Sequence, residues 1–396
     1  MRDVTRRFIL AGALSAGAAA VAEVGLRAQD VKITDPTSVV VIVNRDSNDI
    51  AFMDIETRKI VGKVFLGNNV NPHMAMMSPD GRYVVAGGTR ANKAFVIDVR
   101  TLTLVKTIPV DLAPEHLAFS PDGRWLYQGN PDGDSISVID MQSLSRIRTI
   151  SGLAEPLNVT FTPDGSKAYV ANYGAHWIGV IDVRRHELLK KIQVAQVPGV
   201  AKLDPDRYLG EINGVSNASI TNDGRFLYAA DGDLNVVSVI DAQDDRVVDV
   251  IGVGAGPWRA FMSHDGRHAV TINNGDETIS IIDLASNKVV ATLEAGPEMT
   301  GVNFAAGKAF AISAPGFVYV YDMGSLKSAG RIKIGTNVQI ETATTDTAER
   351  KLYLAESTNH QVVIIDAETE ALERVSNVGL YPWGTHIMDS KDNYCH

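Results

Sequence analysis

The chain is 396 residues long, 45% hydrophobic and 21% charged, with a net charge of −10. An acidic chain with no Lys/Arg run and no interleaving of aromatic and basic residues excludes nucleic acid as a partner; a basic redox partner protein or plain solubility both suit the charge. The single cysteine, Cys395, excludes an intramolecular disulfide, and no apolar stretch beyond the N-terminal segment is long enough to span a bilayer.

Thr5-Arg6-Arg7-Phe8-Ile9-Leu10 resembles a twin-arginine export motif, with Ile9 where that motif favours phenylalanine. A small-residue apolar run, Ala11 to Ala22, follows. It is interrupted by Glu23 and ends at Leu26-Arg27-Ala28, a cleavage-site pattern. The run is short and rich in glycine and alanine, a poor membrane span. Residues 1–28 therefore read as a signal peptide and 29–396 as one domain delivered to the periplasm, with no membrane span in the mature chain. The other reading of this segment is a disordered cytoplasmic tail. Twin-arginine export carries folded proteins, so it permits a cofactor to be inserted first. Residues 1–28 carry four arginines against Asp3 and Glu23, a net +2, so the remainder of the −10 chain stands at −12.

Beyond that point one unit repeats. Its clearest copy is Thr162-Pro163-Asp164-Gly165, between the apolar Val159 and Phe161 and the β-rich run Ala168 to Val170. Proline presets φ, aspartate tolerates the next position, and glycine takes a positive φ without a Cβ clash, so the copy reads strand, tight turn, strand. A third strand ends at Val180-Ile181-Asp182, and Leu188 to Val194 forms a fourth. Alone, such a sheet would expose two apolar faces and two edges. Its neighbours follow the same turn: Ser78-Pro79-Asp80-Gly81, Ser120-Pro121-Asp122-Gly123, Thr221-Asn222-Asp223-Gly224 and Ser263-His264-Asp265-Gly266. Asp80, Asp122 and Asp164 stand 42 residues apart, and so do Asp223 and Asp265. The aspartates closing the third strands (Asp54, Asp98, Asp140, Asp182, Asp241, Asp283, Asp322 and Asp366) number eight. This period predicts an all-β, eight-bladed β-propeller of four-stranded antiparallel blades. The first unit, from about Ser38, holds only three strands. His386 to Asn393 aligns without a gap to His116 to Gly123. The C-terminus is therefore expected to supply the missing inner strand, from about His386 to Ser390, beside Val39 to Val43.

Tyr169-Val170-Ala171-Asn172 resembles the Tyr-Val-Thr-Asn signature of YVTN-family propellers, and Tyr228-Ala229-Ala230-Asp231 and Tyr353-Leu354-Ala355-Glu356 are looser copies. The blade count and two histidines are also similar to the haem d1 domain of cytochrome cd1 nitrite reductases and their relatives. The resemblance implies the fold and leaves ligand binder, accessory protein and enzyme open. Between blades four and five the period lengthens by about 17 residues, near 195–212. That insertion is either a tolerated surface loop or a flap over the central funnel.

In a propeller, the starts of the inner strands converge on one axis. Six residues before each turn aspartate stand Met74, His116, Asn158, Asn217, Arg259 and, from the C-terminus, His386, with Thr300 and Thr342 in the two blades lacking the turn. A strand start needs no polar residue, and converging polar groups mark a binding site. His116 and His386 suit a metal, an anion or cofactor, or proton transfer; the structural alternative is that they cap strand ends. Arg259 would favour a carboxylate. Trp258 and Trp383 either wall the mouth or pack between blades. His176 and His360 fall in loops on the same face, where solvated histidines are common. His73 beside Met74 raises copper, without a fixed-spacing motif behind it. His186, His264 and His268 read as surface residues, and Cys395-His396 as a metal pair or a frayed end. The third-strand aspartates read as acceptors for local backbone N–H groups, not catalytic carboxylates.

The chain has no nucleophile elbow, phosphate-binding glycine loop, zinc-protease helix or CxxCH site. A covalent c-type haem is thereby excluded; a non-covalent haem d1-like cofactor or copper stays open. The function expected is an exported propeller that holds a small anionic ligand or redox cofactor in its funnel, in an accessory or binding role. The alternatives are an oxidoreductase with its cofactor or metal over His116, His386 and Arg259, and a protein-interaction scaffold.

Overall fold

The computed structural model describes residues 33–195 and 213–392. The export motif, nearly all of the insertion and Cys395-His396 lie outside the described residues. The described chain forms eight four-stranded antiparallel sheets. They are joined in a ring by eight apolar clusters, one between each neighbouring pair of blades. The last cluster puts Val40 and Ile42 of blade one against Tyr353 and Val362 of blade eight, which closes the ring.

Both faces of the central strands are covered, so these strands are apolar without alternation. Val39–Asn44 is buried at every position. Outer strands are largely exposed, and Lys288–Glu294 alternates between exposed and half-buried positions.

The turns hold as their residues dictate. Thr162 Oγ1 donates to Asp164 Oδ1 at 2.6 Å, and the same carboxylate oxygen accepts from Ser166 N at 3.0 Å. Gly165 ends the turn at φ +68°. Gly81 occupies the same place at φ +67°, where a Cβ would also meet Pro36 Cγ at 2.4 Å, so no other residue fits there. The third-strand aspartates accept the local N–H groups expected of them: Asp54 from Thr57, Asp283 from Ser286, Asp322 from Ser325 and Asp366 from Thr369. Those bonds hold all four carboxyls below the usual aspartate range.

Two signature tyrosines tie one blade to the next, and Asn172 holds the connection into its own blade. The Tyr169 hydroxyl donates to Asp245 Oδ1 at 2.6 Å, and Tyr228 reaches Asn287 Oδ1 at 2.5 Å, each in the last turn of the following blade. Asn172 Nδ2 donates to Val170 O and Trp177 O, while its Oδ1 accepts from Ala154 N in the connection entering its blade.

The C-terminal strand completes blade one, with a corrected register. It runs Pro382–Ile387, earlier than expected, and pairs Ile387 with Val40 and Thr385 with Ile42. In blade two, Met77 pairs with Val84 and Ala75 with Ala86. Gly384 is therefore the counterpart of Met74 and His116, and His386 lies two residues further along, opposite Met76. Pro382-Trp383 matches Pro257-Trp258, whereas the gap-free alignment had placed its anchor on Asp392. In blade seven the Met299/Gly301 register shift puts Gly301, not Thr300, at the ring position. Among the described residues no helix is long and apolar enough to cross a membrane.

Candidate functional site

Where the inner strand begins in seven of the blades, its pairing slips by a residue. The shift lies at Pro72/Ala75, Pro156/Val159, Val215/Asn217, Pro257/Ala260, Met299/Gly301, Ile340/Ala343 and, in blade one, Pro382/Gly384. A bulge re-aims side chains that strict alternation would send into the blade interface. Two consecutive residues per blade can then face the axis or its mouth.

The channel inside holds a cavity of about 470 Å³. Met74, His116, Asn158, Asn217, Arg259 and His386 all line it. They come from six different inner strands or strand entries, so the ring closure alone brings them together. Thr160 and Ser219 sit one pleat deeper, beside the amides. Thr160 Oγ1 donates its one proton to Ala218 O at 2.6 Å and lies 3.0 Å from the Asn158 amide, while Ser219 Oγ donates to Asn217 Oδ1 at 3.2 Å. The Asn217 amide oxygen is thus engaged, and among the described residues its Nδ2 has no protein acceptor. Arg259 lies over the Phe261 ring, 5.1 Å from guanidinium carbon to centroid. It also lines a second cavity of about 260 Å³ with Thr160 and Ser219. Asp389 is the one carboxylate on the first cavity's wall.

His386 accepts a hydrogen bond from Met77 N at Nε2, 3.1 Å away, which places its proton on Nδ1. Burial pushes the imidazole down to about 3. The ring is neutral at every physiological pH, so it does not titrate between pH 5 and 8 as an exposed imidazole would. His116 and Asn217 are likewise buried, in the channel wall and not at a solvated rim.

Above this cavity a second group of side chains gathers at the mouth. His73 stacks near His116, ring centroids 5.9 Å apart, and lies 5.3 Å from the Trp383 ring. Arg45 covers the Trp383 ring at 4.3 Å, and its Nε donates to Asn71 Oδ1 at 2.7 Å. Trp383 thus walls the mouth, while Trp258 packs with Tyr173 at 5.6 Å and with the apolar cluster of blades six and seven. Burial pushes the Glu115 carboxyl up to about 7, helped by Asp132 and opposed by Arg45. Glu341, also at the mouth, is raised by burial although Ser357 Oγ donates to it at 2.9 Å. Glu115, Glu341 and Arg45 were not singled out from sequence. The residue preceding each ring position would have found the two glutamates, but only a bulge makes that position face the mouth.

The other histidines are mostly not surface residues. His176 Nδ1 pairs with Asp231 Oδ2 at 2.7 Å between blades four and five, and that bond raises the imidazole. His186 is buried and bonds the Tyr127 hydroxyl at 2.8 Å. His360 Nδ1 accepts from Tyr381 N at 3.1 Å. His264, in a turn, joins Asp392 at 2.9 Å and Glu349 at 2.9 Å.

With this geometry in place, the likenesses can be weighed. Residues 33–146 match the family described as lactonase, 7-bladed beta-propeller. The match covers under a third of the chain and does not count blades, of which the ring has eight. Among solved structures, the dihydro-heme d1 dehydrogenase NirN, in complex with DHE, has a TM-score of 0.74 at 20% identity, over 89% of this chain and 76% of that one. The hydrazine synthase of Kuenenia stuttgartiensis has a TM-score of 0.57 at 22% identity, over 76% of this chain and 97% of the other. A functionally unknown protein from Desulfotomaculum acetoxidans DSM 771 has a TM-score of 0.56 at 11% identity, over 88% and 98%. No curated protein matches by sequence. At these identities the likeness is one of fold: the chain is a propeller similar in architecture to one that carries a haem d1 enzyme.

Proposed function

We propose that this chain is an exported periplasmic propeller that holds a small anionic ligand or redox cofactor in its channel and serves a redox or cofactor pathway in a binding or accessory role. The observation that carries this is the donor set on three successive blades: Asn158 Nδ2, Asn217 Nδ2 and the Arg259 guanidinium around one cavity. Two amides, that of Asn217 oriented by Ser219, and a cation select a group rich in acceptors, such as a carboxylate. Neutral His386, with its proton on Nδ1, adds polarity without adding charge. Met74 and Met76 give a soft apolar wall suited to a conjugated ring. A non-covalent tetrapyrrole of the haem d1 class is the first ligand to test, because the likeness to NirN in complex with DHE favours it. That same likeness favours the second reading, an oxidoreductase acting on such a ligand.

The test is native mass spectrometry and an absorption spectrum of protein purified from the periplasmic fraction, with Arg259→Ala alongside. The expected result is an organic ligand in the wild type and a loss of about 1.5–3 kcal/mol of binding in the variant, the range for bonds to charged groups. A visible band that changes on adding reductant selects the oxidoreductase. Protein that stays in the cytoplasm would sink the export half. A bare protein whose melting curve no carboxylate ligand moves would sink the binding half and leave a scaffold.

A further inference from the structure

We propose that His73, Glu115 and His116 bind one divalent transition-metal ion of the zinc or cobalt class at the mouth of the channel. One ligand atom from each residue lies within 4.8 Å of the other two. Around a tetrahedral ion with bonds near 2.1 Å, ligand atoms stand roughly 3.4 Å apart. The backbone that carries Glu115 and His116 is already set. Glu115 N donates to Gly129 O at 3.1 Å, and His116 O accepts from Gly129 N at 2.7 Å and from Gln128 Nε2 at 2.9 Å. His73 is held on the other side by the bulged start of its strand, Pro72–Met77.

The donor chemistry chooses the metal class. Two imidazoles and one carboxylate suit zinc, cobalt, iron or copper, and are poor for calcium or magnesium, which take oxygen. Three protein ligands leave a coordination position for water or an incoming donor, unlike a closed structural site with four. His116 also lines the 470 Å³ cavity, so that open position adjoins the channel. Trp383, under Arg45, backs the His73 ring and limits its rotation, the role outer residues play around metal ligands. This site uses His73 and Glu115, which the channel ligand does not need, and so stands independently of that reading.

The experiment uses the whole chain stripped of metal, with Zn2+ followed by calorimetry and Co2+ by its visible absorption. One ion per chain is expected, with Co2+ displaced by Zn2+. Glu115→Gln and His73→Gln should each weaken binding more than tenfold, while circular dichroism shows an unchanged fold. Arg259→Ala, His386→Gln and Cys395→Ser should bind as the wild type does. Absence of saturable Zn2+ and Co2+ binding overturns the site, and so does binding that Glu115→Gln and His73→Gln leave unmoved. If His73→Gln fails to fold, Glu115→Gln, which keeps the shape of the side chain, decides alone. A chain that binds zinc but no organic anion upholds this site and refutes the channel ligand; the reverse outcome does the opposite.

Discussion

His386 is a buried imidazole that gives up its proton early and keeps one nitrogen committed to the backbone. Met77 N–H reaches Nε2, and burial holds the ring at about 3 against an ordinary 6.5. The unfolded chain therefore binds a proton that the folded chain refuses between those values. Stability from this residue is complete above about pH 6.5 and is lost as pH falls toward 3, with a slope approaching 1.4 kcal/mol per unit. Urea melts of wild type and His386→Gln at several values between pH 4 and 7 read this directly. The variant should lose the extra acid slope while keeping the fold. Equal slopes in both proteins would show that His386 is solvated. Arg259 and Asp389, the charged side chains on the same cavity, stay in both proteins and cancel in the comparison. Of the six ring residues read from sequence, five stand at the expected level and His386 lies one pleat deeper. Counting from the turn aspartate worked wherever a real turn existed. It slipped at the C-terminus because Asp392 imitates the spacing of a turn residue and does something else.

Asp392 belongs to a strap, Met388 to Asp392, that leaves blade one and crosses to blades six, seven and eight. Its Oδ2 accepts from Phe304 N at 2.8 Å and Thr345 Oγ1 at 2.7 Å, and its Oδ1 meets His264 Nε2 at 2.9 Å. The strap contributes to the walls of both channel cavities. Desolvation opposes the charge on His264, but the Asp392 bond and the nearby Glu349 outweigh it and raise the imidazole, with Lys391 acting against them. A raised folded value means that this contact is at full strength below about pH 6.5 and is lost as pH climbs through the higher folded value. Limited proteolysis should therefore cut the strap faster at pH 8.5 than at pH 6. His264→Gln should abolish the difference by cutting fast at both. Equal cutting in the wild type at the two pH values would show that other contacts hold the strap. Nothing local in Ser263-His264-Asp265-Gly266 announces this role, since the turn pattern explains the segment completely. The mouth cluster escaped the sequence for a related reason. Residues 73, 115 and 341 occupy positions that alternation assigns to the blade interface, and a bulge is invisible in a pattern of period two.

The ring as a whole was legible because every blade closes its third strand on an aspartate, and Tyr169 and Tyr228 reach into the following blade. Closure is the property no single blade encodes. It depends on Pro382–Ile387 entering beside Val40 to Asn44, residues that are wholly or almost wholly buried in the closed ring. Without that strand, blade one presents an apolar edge with unpaired N–H and C=O groups, and blades eight and two lose the neighbour that lies between them. Deleting residues 382–396 should therefore yield a chain that associates through this edge and melts below the full protein with less cooperativity. Light scattering and thermal melts measure both effects. A synthetic peptide spanning residues 378–392, added in trans, should restore the monomer by donating the missing strand, as extended peptides do at open sheet edges. Two controls guard the interpretation. A peptide with Gly384→Pro and His386→Pro cannot donate the ladder hydrogen bonds to Val43 and Val41 and should not rescue. Full-length His386→Gln should stay closed, since it keeps the backbone pairing. A deletion variant that remained monomeric and melted like the full chain would mean that seven complete blades and a three-stranded remnant close without the C-terminal strand.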